Sequence, residues 1–309
     1  MAPLTWLDSD AVRALMPAVP EQLDLVHETF VAAARGRVDL PPKPGVHPRE
    51  GAFLNAMPAW LEDRDVVAMK WVSAYPDNAA HGLPTIAGLI VVNDADTGLP
   101  ELVMDAEEIT ALRTAVVSGV VIRALAPAGW RRVAVLGYGA QGRSHMEVVR
   151  TLDPAAEVVA WSPGLASGRT SPDEGVEVAP DRRSAVVGAD VVITAGPMRG
   201  VVEPVVEPGW LGENCLVVAV DYDAQVRAEV SQRAAVFVVD DVPQYQSFVD
   251  RGSFAGWAPP AGALGEVLDQ PASGGLALAC HLGIGAVDAV IAGAVRDRHR
   301  GSGLGVRLR

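Results

Sequence analysis

A chain of 309 residues, half of them hydrophobic and 20% charged, can build a large core and is long enough for two domains. That composition excludes a disordered chain, a collagen and a small disulfide scaffold. The balance of 25 basic against 38 acidic residues gives −13, and the only basic cluster, residues 296–309, reads as a solvated end. A nucleic-acid binder is therefore not expected. Cys215 and Cys280 lie in apolar stretches; they could pair, but buried free thiols of a reducing cytoplasm are the expectation. Asp8, Asp10 and Arg13 interrupt the opening apolar residues, so no secretory signal is expected.

Taken in chain order, the first forty residues read as helical, with Leu23, Val26, Phe30 and Val31 on one face. Residues 40–48 are rich in proline and read as an extended loop. Strand-like runs follow at 66–73, 85–93 and 99–104, the last two joined by a hairpin turn at Thr97-Gly98, which predicts an antiparallel or mixed sheet. Residues 107–125 carry apolar positions at helical spacing.

The rhythm changes near residue 127. Short apolar strands at 132–136, 158–161, 190–195, 216–220 and 236–239 alternate with helical stretches, the pattern of a parallel, doubly wound sheet. Residues 274–295 are apolar apart from His281 and Asp288 and long enough to span a bilayer. Their glycines and alanines, together with the cost of Asp288 in lipid, favour a tightly packed interior helix instead. The expected fold is α/β: a mixed-sheet α+β substrate and dimerisation domain over 1–125, rejoined by 276–309, and a Rossmann-type dinucleotide-binding domain over 126–275.

The strongest local motif is Gly137-Tyr138-Gly139-Ala140-Gln141-Gly142, directly after the strand Val133-Ala134-Val135-Leu136. Gly137 permits the sharp turn, Gly139 lets a pyrophosphate approach the backbone, and Gly142 brings helix and strand together. The helix that follows offers unpaired N–H groups to phosphates. The bland alternative is an ordinary glycine turn; the strand before it and the βα units after it favour a dinucleotide. An NAD site usually ends its second strand with an acidic residue about 20 positions beyond the glycines. Here that strand ends Trp161-Ser162-Pro163-Gly164 with no carboxylate, and Ser162 and Arg169 are candidates to receive a 2′-phosphate. The expected cofactor is NADP or NAD, with NADP favoured. Thr194, Ala195 and Val220, at the ends of later strands, complete the candidate cofactor residues.

In the first half, Lys70 stands in an otherwise apolar strand, where a buried ammonium either reaches an edge or serves an anionic ligand. Arg113, inside an apolar helical face, either forks a carboxylate or pairs with Asp105, Glu107 or Glu108.

Together with Ala56-Met57-Pro58-Ala59, the block Lys70 to Asn78, Gly82-Leu83-Pro84-Thr85, Thr97-Gly98-Leu99-Pro100 and Leu112-Arg113-Thr114-Ala115, these motifs resemble the ornithine cyclodeaminase/μ-crystallin family. The resemblance implies a homodimer joined through its N-terminal domains. It casts Lys70 and Arg113 as holders of a substrate carboxylate, with Lys43, Asn55 and Met57 also at the substrate. Thr85 and Thr114 would lie near the cofactor, and Ala140 and Gln141 on its phosphates. In Ala219-Val220-Asp221-Tyr222-Asp223 it matches Asp223 to the catalytic aspartate, with Asp221 where glycine is common.

Three positions depart from the family pattern. Lys43 stands where ornithine cyclodeaminase has an arginine, and lysine lacks the planar fork. Asn55 replaces a glutamate acid and cannot transfer a proton. His281 follows Gly275-Leu276-Ala277-Leu278, where an acidic residue is common, and is either a titratable acid or a satisfied core histidine. The expected function is an NAD(P)-dependent oxidoreductase at the C–N bond of an amino or imino acid, of imine or ketimine reductase type. The alternatives are a cyclodeaminase-type ammonia lyase using bound NAD and a non-catalytic NADP-dependent binding protein.

Overall fold

The computed structural model describes residues 3–196, 204–270 and 274–308. In chain order its first elements are β1 (Thr5–Leu7), α1 (Ser9–Leu15), α2 (Val19–Ala34), β2 (Val38–Asp39), β3 (Gly45–Val46), β4 (Phe53–Leu61), β5 (Val66–Ala74), β6 (Ile86–Asn93), β7 (Pro100–Asp105) and α3 (Glu107–Leu125). Strands β4 to β7 form an antiparallel meander, and β1 adds to β7 in parallel, so the sheet is mixed. The β6–β7 turn closes with Gly98 at φ 70° and the Thr97 N–H on Asp94 Oδ1 at 2.8 Å.

Strands and helices then alternate. They are β8 (Arg132–Leu136), α4 (Ala140–Leu152), β9 (Glu157–Trp161), α5 (Pro163–Ala166), β10 (Val176–Val178), α6 (Arg182–Val186), β11 (Val191–Thr194), β12 (Leu216–Ala219), α7 (Ala228–Arg233), β13 (Val236–Val239), α8 (Val242–Val249), β14 (Gly262–Ala263) and β15 (Ala277–Cys280). All eight strands are parallel, in the order β10-β9-β8-β11-β12-β15-β13-β14. The order reverses between β8 and β11, the switch point at which doubly wound sheets bind ligands. Its inner strands are buried on both faces, which is why they read as continuous apolar runs. Cys215 and Cys280 are buried and unbridged; burial pushes the Cys215 thiol up to about 12 and raises Cys280.

The chain ends with α9 (Gly285–His299) and β16 (Val306–Arg307), the latter pairing with β1. Two units result: Met1–Arg113 with Gly283–Arg309, and Thr114–Leu282. The first division falls inside α3, ahead of the boundary expected at 125, and the second falls at 282/283 rather than 275/276. The apolar stretch 274–295 is not one helix. It contains β15, set between β12 and β13, and then α9, with Gly283 at φ 74° between them. Both parts are buried on all sides, so neither shows a diagnostic period. Among the described residues no helix is long and apolar enough to cross a membrane.

In the first unit, α9 packs on β4 and β5. Residues of β5 alternate accordingly, with Val66, Ala68, Lys70 and Val72 on the covered face. The opposite face carries Trp71 and its cross-strand neighbour Leu89, each 41% exposed, with Trp60.

Candidate active site

Placing Lys70 on the covered face of β5 puts an ammonium in the core, 1% exposed, where it needs a partner. Asp288 of α9 supplies one: Lys70 Nζ donates to Asp288 Oδ1 at 2.7 Å and to the Thr110 hydroxyl at 3.4 Å. Arg113 of α3 reaches the same carboxylate, Nε to Oδ1 at 3.3 Å, yet its buried Nε has no hydrogen-bond partner, nor has Asp288 Oδ2. Lys43 is also buried, its Nζ donating to the Gly283 carbonyl at 3.4 Å. Two buried cations therefore share one carboxylate, and the surplus charge is positive. Desolvation, then the Arg113 charge, push the Lys70 ammonium down to about 7, against the opposing pull of Asp288.

Met57 is the cross-strand partner of Lys70, and Asn55 lies two positions along β4 opposite Gly45. The Asn55 carboxamide fills the space in which a Gly45 Cβ would sit. Thr85 is exposed just before β6, its carbonyl accepting from the Tyr75 N–H at 2.8 Å. Lys43, Met57, Lys70 and Arg113 are buried; Asn55 is half-buried. Asp105, Glu107 and Glu108 do not take Arg113: Glu108 pairs with Arg13. Asp288 is the residue of this cluster that sequence reasoning did not assign to the site. Its signal was a lone acid in an apolar stretch, to be matched with a lone lysine in an apolar strand.

In the second unit the glycine turn forms at the C-terminal end of β8. Gly137 takes φ 107°, and its N–H donates to the Trp161 carbonyl at 2.9 Å. A Cβ on Gly142 would lie 2.3 Å from the Gly137 carbonyl, whereas one on Gly139 would meet nothing within 4 Å. Gly139 is the N-cap of α4, and no side chain caps that helix. Ala140 and Gln141 open it, so the first N–H groups face outward at the positive end of a thirteen-residue helix. This cradle fits a dinucleotide pyrophosphate, because among the described residues no atom lies within 4 Å of where a Gly139 Cβ would sit.

Ser162, a candidate for the ribose, instead caps α5, its hydroxyl accepting from the Leu165 N–H at 3.2 Å. Arg169 is exposed and donates Nε to the Ser167 hydroxyl at 2.9 Å. Thr194 is fully buried, and its hydroxyl donates to Asp221 Oδ1 at 2.6 Å. Asp221 also accepts from the Gly196 N–H at 2.7 Å and Gln225 Nε2 at 2.6 Å, and Gln225 donates on to the Leu136 carbonyl at 3.2 Å. Burial raises the Asp221 carboxyl against these hydrogen bonds. The Val220 N–H donates to the Thr194 carbonyl at 3.0 Å, and the Ala195 N–H to Leu136 at 2.8 Å. Asp221 thus ties together the ends of β8, β11 and β12. Thr114, on α3, begins this unit.

Asp223 is half-buried and accepts the Phe254 N–H on Oδ2 at 2.6 Å. Both Phe254 and Tyr222, the residue before Asp223, hold positive φ, 59° and 62°, which is costly for aromatic residues. His281 is buried behind β15, its N–H on the Ala219 carbonyl at 3.0 Å. Among the described residues no group of three potential ligands is placed to hold a metal.

Residues 7–269 match the profile of the ornithine cyclodeaminase/mu-crystallin family. The chain belongs to this family. It is 34% identical over 254 residues to the nodulation efficiency protein NfeD of Rhizobium meliloti, covering 81% of this chain and 78% of that one. It is 31% identical over 158 residues to a Delta(1)-pyrroline-2-carboxylate/Delta(1)-piperideine-2-carboxylate reductase of Azospirillum brasilense, covering 51% of this chain and 50% of the relative. An archaeal alanine dehydrogenase, solved as a dimer with bound NAD, superposes with a TM-score of 0.85 at 26% identity, covering 99% of each chain. The reductase and the alanine dehydrogenase are named as oxidoreductases of imino or amino acids, and the fold is shared with a lysine cyclodeaminase, at a TM-score of 0.83 and 23% identity over 99% of this chain and 95% of that one.

Proposed function

We propose that this family member is an NAD(P)-dependent oxidoreductase working at the C–N bond of an amino or imino acid, in the sense of imine reduction. The observation that carries the reading is the buried pair Lys70 and Arg113 sharing the single carboxylate of Asp288. A substrate carboxylate offsets the surplus positive charge and gives Arg113 an acceptor, each charge-assisted bond being worth about 1.5–3 kcal/mol. Asp288 orients both cations, and Met57 and Lys43 border the same anion site. Asp223, held at a fixed angle by the Phe254 N–H, manages the proton on the substrate nitrogen.

The nicotinamide dinucleotide, when bound, supplies the hydride that reduces the imine carbon. Gly137, Gly139, Ala140, Gln141 and Gly142 hold its pyrophosphate, and β9 ends without the acid that an NAD ribose takes, which favours the 2′-phosphorylated form. Trp60, Trp71 and Leu89 make an apolar sheet face of a kind that pairs with a second copy, so the working form is a homodimer. Replacing Lys70 by Met tests the assignment. Turnover of a cyclic imino carboxylate is abolished while dinucleotide affinity stays within about twofold of wild type; lost dinucleotide binding with normal substrate binding overturns the role given to Lys70.

A further inference from the structure

The end of β9 is where a doubly wound fold reads the adenosine ribose, and the Gly137 N–H on the Trp161 carbonyl places that end beside the glycine turn. The groups that sequence alone offers there are engaged. The Ser162 hydroxyl caps α5, and Arg169 is exposed and turned onto Ser167. Arg143, which follows the turn, lies over the Tyr138 ring and is paired with Asp173 and the Ser171 carbonyl.

Arg182 differs from these. It opens α6, directly after β10, the parallel neighbour of β9, and so emerges at the same edge of the sheet as Trp161. Its guanidinium carbon lies 4.2 Å from the centroid of the Trp161 ring. Its Nε is buried without a hydrogen-bond partner, and among the described residues no carboxylate pairs with it. The adjacent acid, Asp181, is turned away as the helix cap, its Oδ1 accepting from the Ser184 N–H at 2.7 Å. The indole ring attracts the guanidinium charge but accepts no conventional hydrogen bond from its N–H groups. A guanidinium held over an aromatic ring, with its Nε lacking an acceptor, is suited to a phosphate in a bidentate fork.

We propose that Arg182, set over the Trp161 ring, is the specificity-determining residue that takes the 2′-phosphate of the dinucleotide, making this chain select NADP(H) over NAD(H). The assignment rests on the dinucleotide reading above and names the group that discriminates between the two cofactors. Arg169 has no part in it.

The test is a fluorescence titration of the full chain with NADPH and NADH, for wild type, Arg182→Gln and Arg169→Ala. Wild type binds NADPH about tenfold or more tightly than NADH, a difference of about 1.4 kcal/mol. Arg182→Gln removes that preference while NADH affinity moves less than about twofold, and Arg169→Ala leaves the preference intact. A measurement independent of variant folding compares wild-type affinity for adenosine 2′,5′-bisphosphate and 5′-AMP, and the bisphosphate binds tighter in a salt-sensitive way. An unchanged preference in Arg182→Gln, an equal loss of both cofactors, or a wild type that favours NADH overturns the inference while leaving the dinucleotide reading standing. A wild type that binds neither cofactor removes both.

Discussion

Lys70 shows how one residue carries stability and chemistry at once. As a base whose buried form is pushed down to about 7, it is charged below that value and neutral above it. A carboxylate is held by the charged form, so kcat/KM for an anionic substrate is full below about pH 7 and falls as pH rises through it, because this ratio reports the free enzyme. A pH profile of kcat/KM, compared with that of Lys70→Arg, whose guanidinium stays charged, checks the sign: the variant loses the alkaline limb. Removing the shared counter-ion is more damaging to the fold. Asp288→Asn leaves two buried cations with no carboxylate and costs about 3–5 kcal/mol, read by urea denaturation. Each of these residues was legible singly, Lys70 and Asp288 as lone charges in apolar runs. Their pairing was not, because 218 positions separate them and only the packing of α9 on β5 brings them together.

At the scale of elements, the glycine turn separates folding from binding. Gly142→Ala drives a Cβ to 2.3 Å from the Gly137 carbonyl and costs about 3 kcal/mol through overpacking. Gly139→Ala meets no protein atom, so stability falls by no more than about 1 kcal/mol while dinucleotide affinity drops tenfold or more. Thermal denaturation and cofactor titration on the same two variants check this. Equal effects from both would remove Gly139 from the cofactor site.

The helix after the turn is anchored by His145. Its Nδ1 contacts the Gln141 carbonyl at 2.7 Å and its Nε2 the Ser118 hydroxyl at 2.8 Å. Burial lowers this imidazole to about 4, against 6.5 in the unfolded chain. The neutral form is native, so its contribution is full above 6.5 and is lost as pH falls toward 4. The stability difference between wild type and His145→Asn accordingly shrinks by about 2 kcal/mol from about pH 7 to about pH 5.

Strand β8 was legible residue for residue as a short apolar run between a basic start and the glycines. Strand β4 was not, because Pro58 lies within it and a proline argues against a paired strand. Residues 274–295 misled for a different reason: burial on every side erases the alternation that distinguishes strand from helix.

For the whole molecule, the proposed homodimer turns on the open face of the first sheet. Trp71 and Leu89 face each other across β5 and β6, each 41% exposed, and with Trp60 they give the apolar surface on which the proposed pairing rests. Leu89→Lys places a charge in that face and converts dimer to monomer at micromolar protein, as sedimentation velocity would register. Wild type sedimenting as a monomer would contradict the pairing. The alternation on β5 is readable from its residues alone; that α9 covers one face and leaves the other open is not, because α9 lies some two hundred positions further along the chain.

The buried Lys70, Arg113 and Asp288 cluster supports an anionic substrate in either direction, and Asn55, which cannot act as an acid where the resemblance implies a glutamate, favours reduction over cyclodeamination. The most direct test follows the near-ultraviolet absorbance of NADPH and NADH with cyclic imino carboxylates as substrates, and in parallel ammonia release from ornithine and lysine. Net oxidation of the dinucleotide, abolished in Lys70→Met, is the predicted result. Ammonia release with no net change in absorbance would contradict it and make this chain a cyclodeaminase.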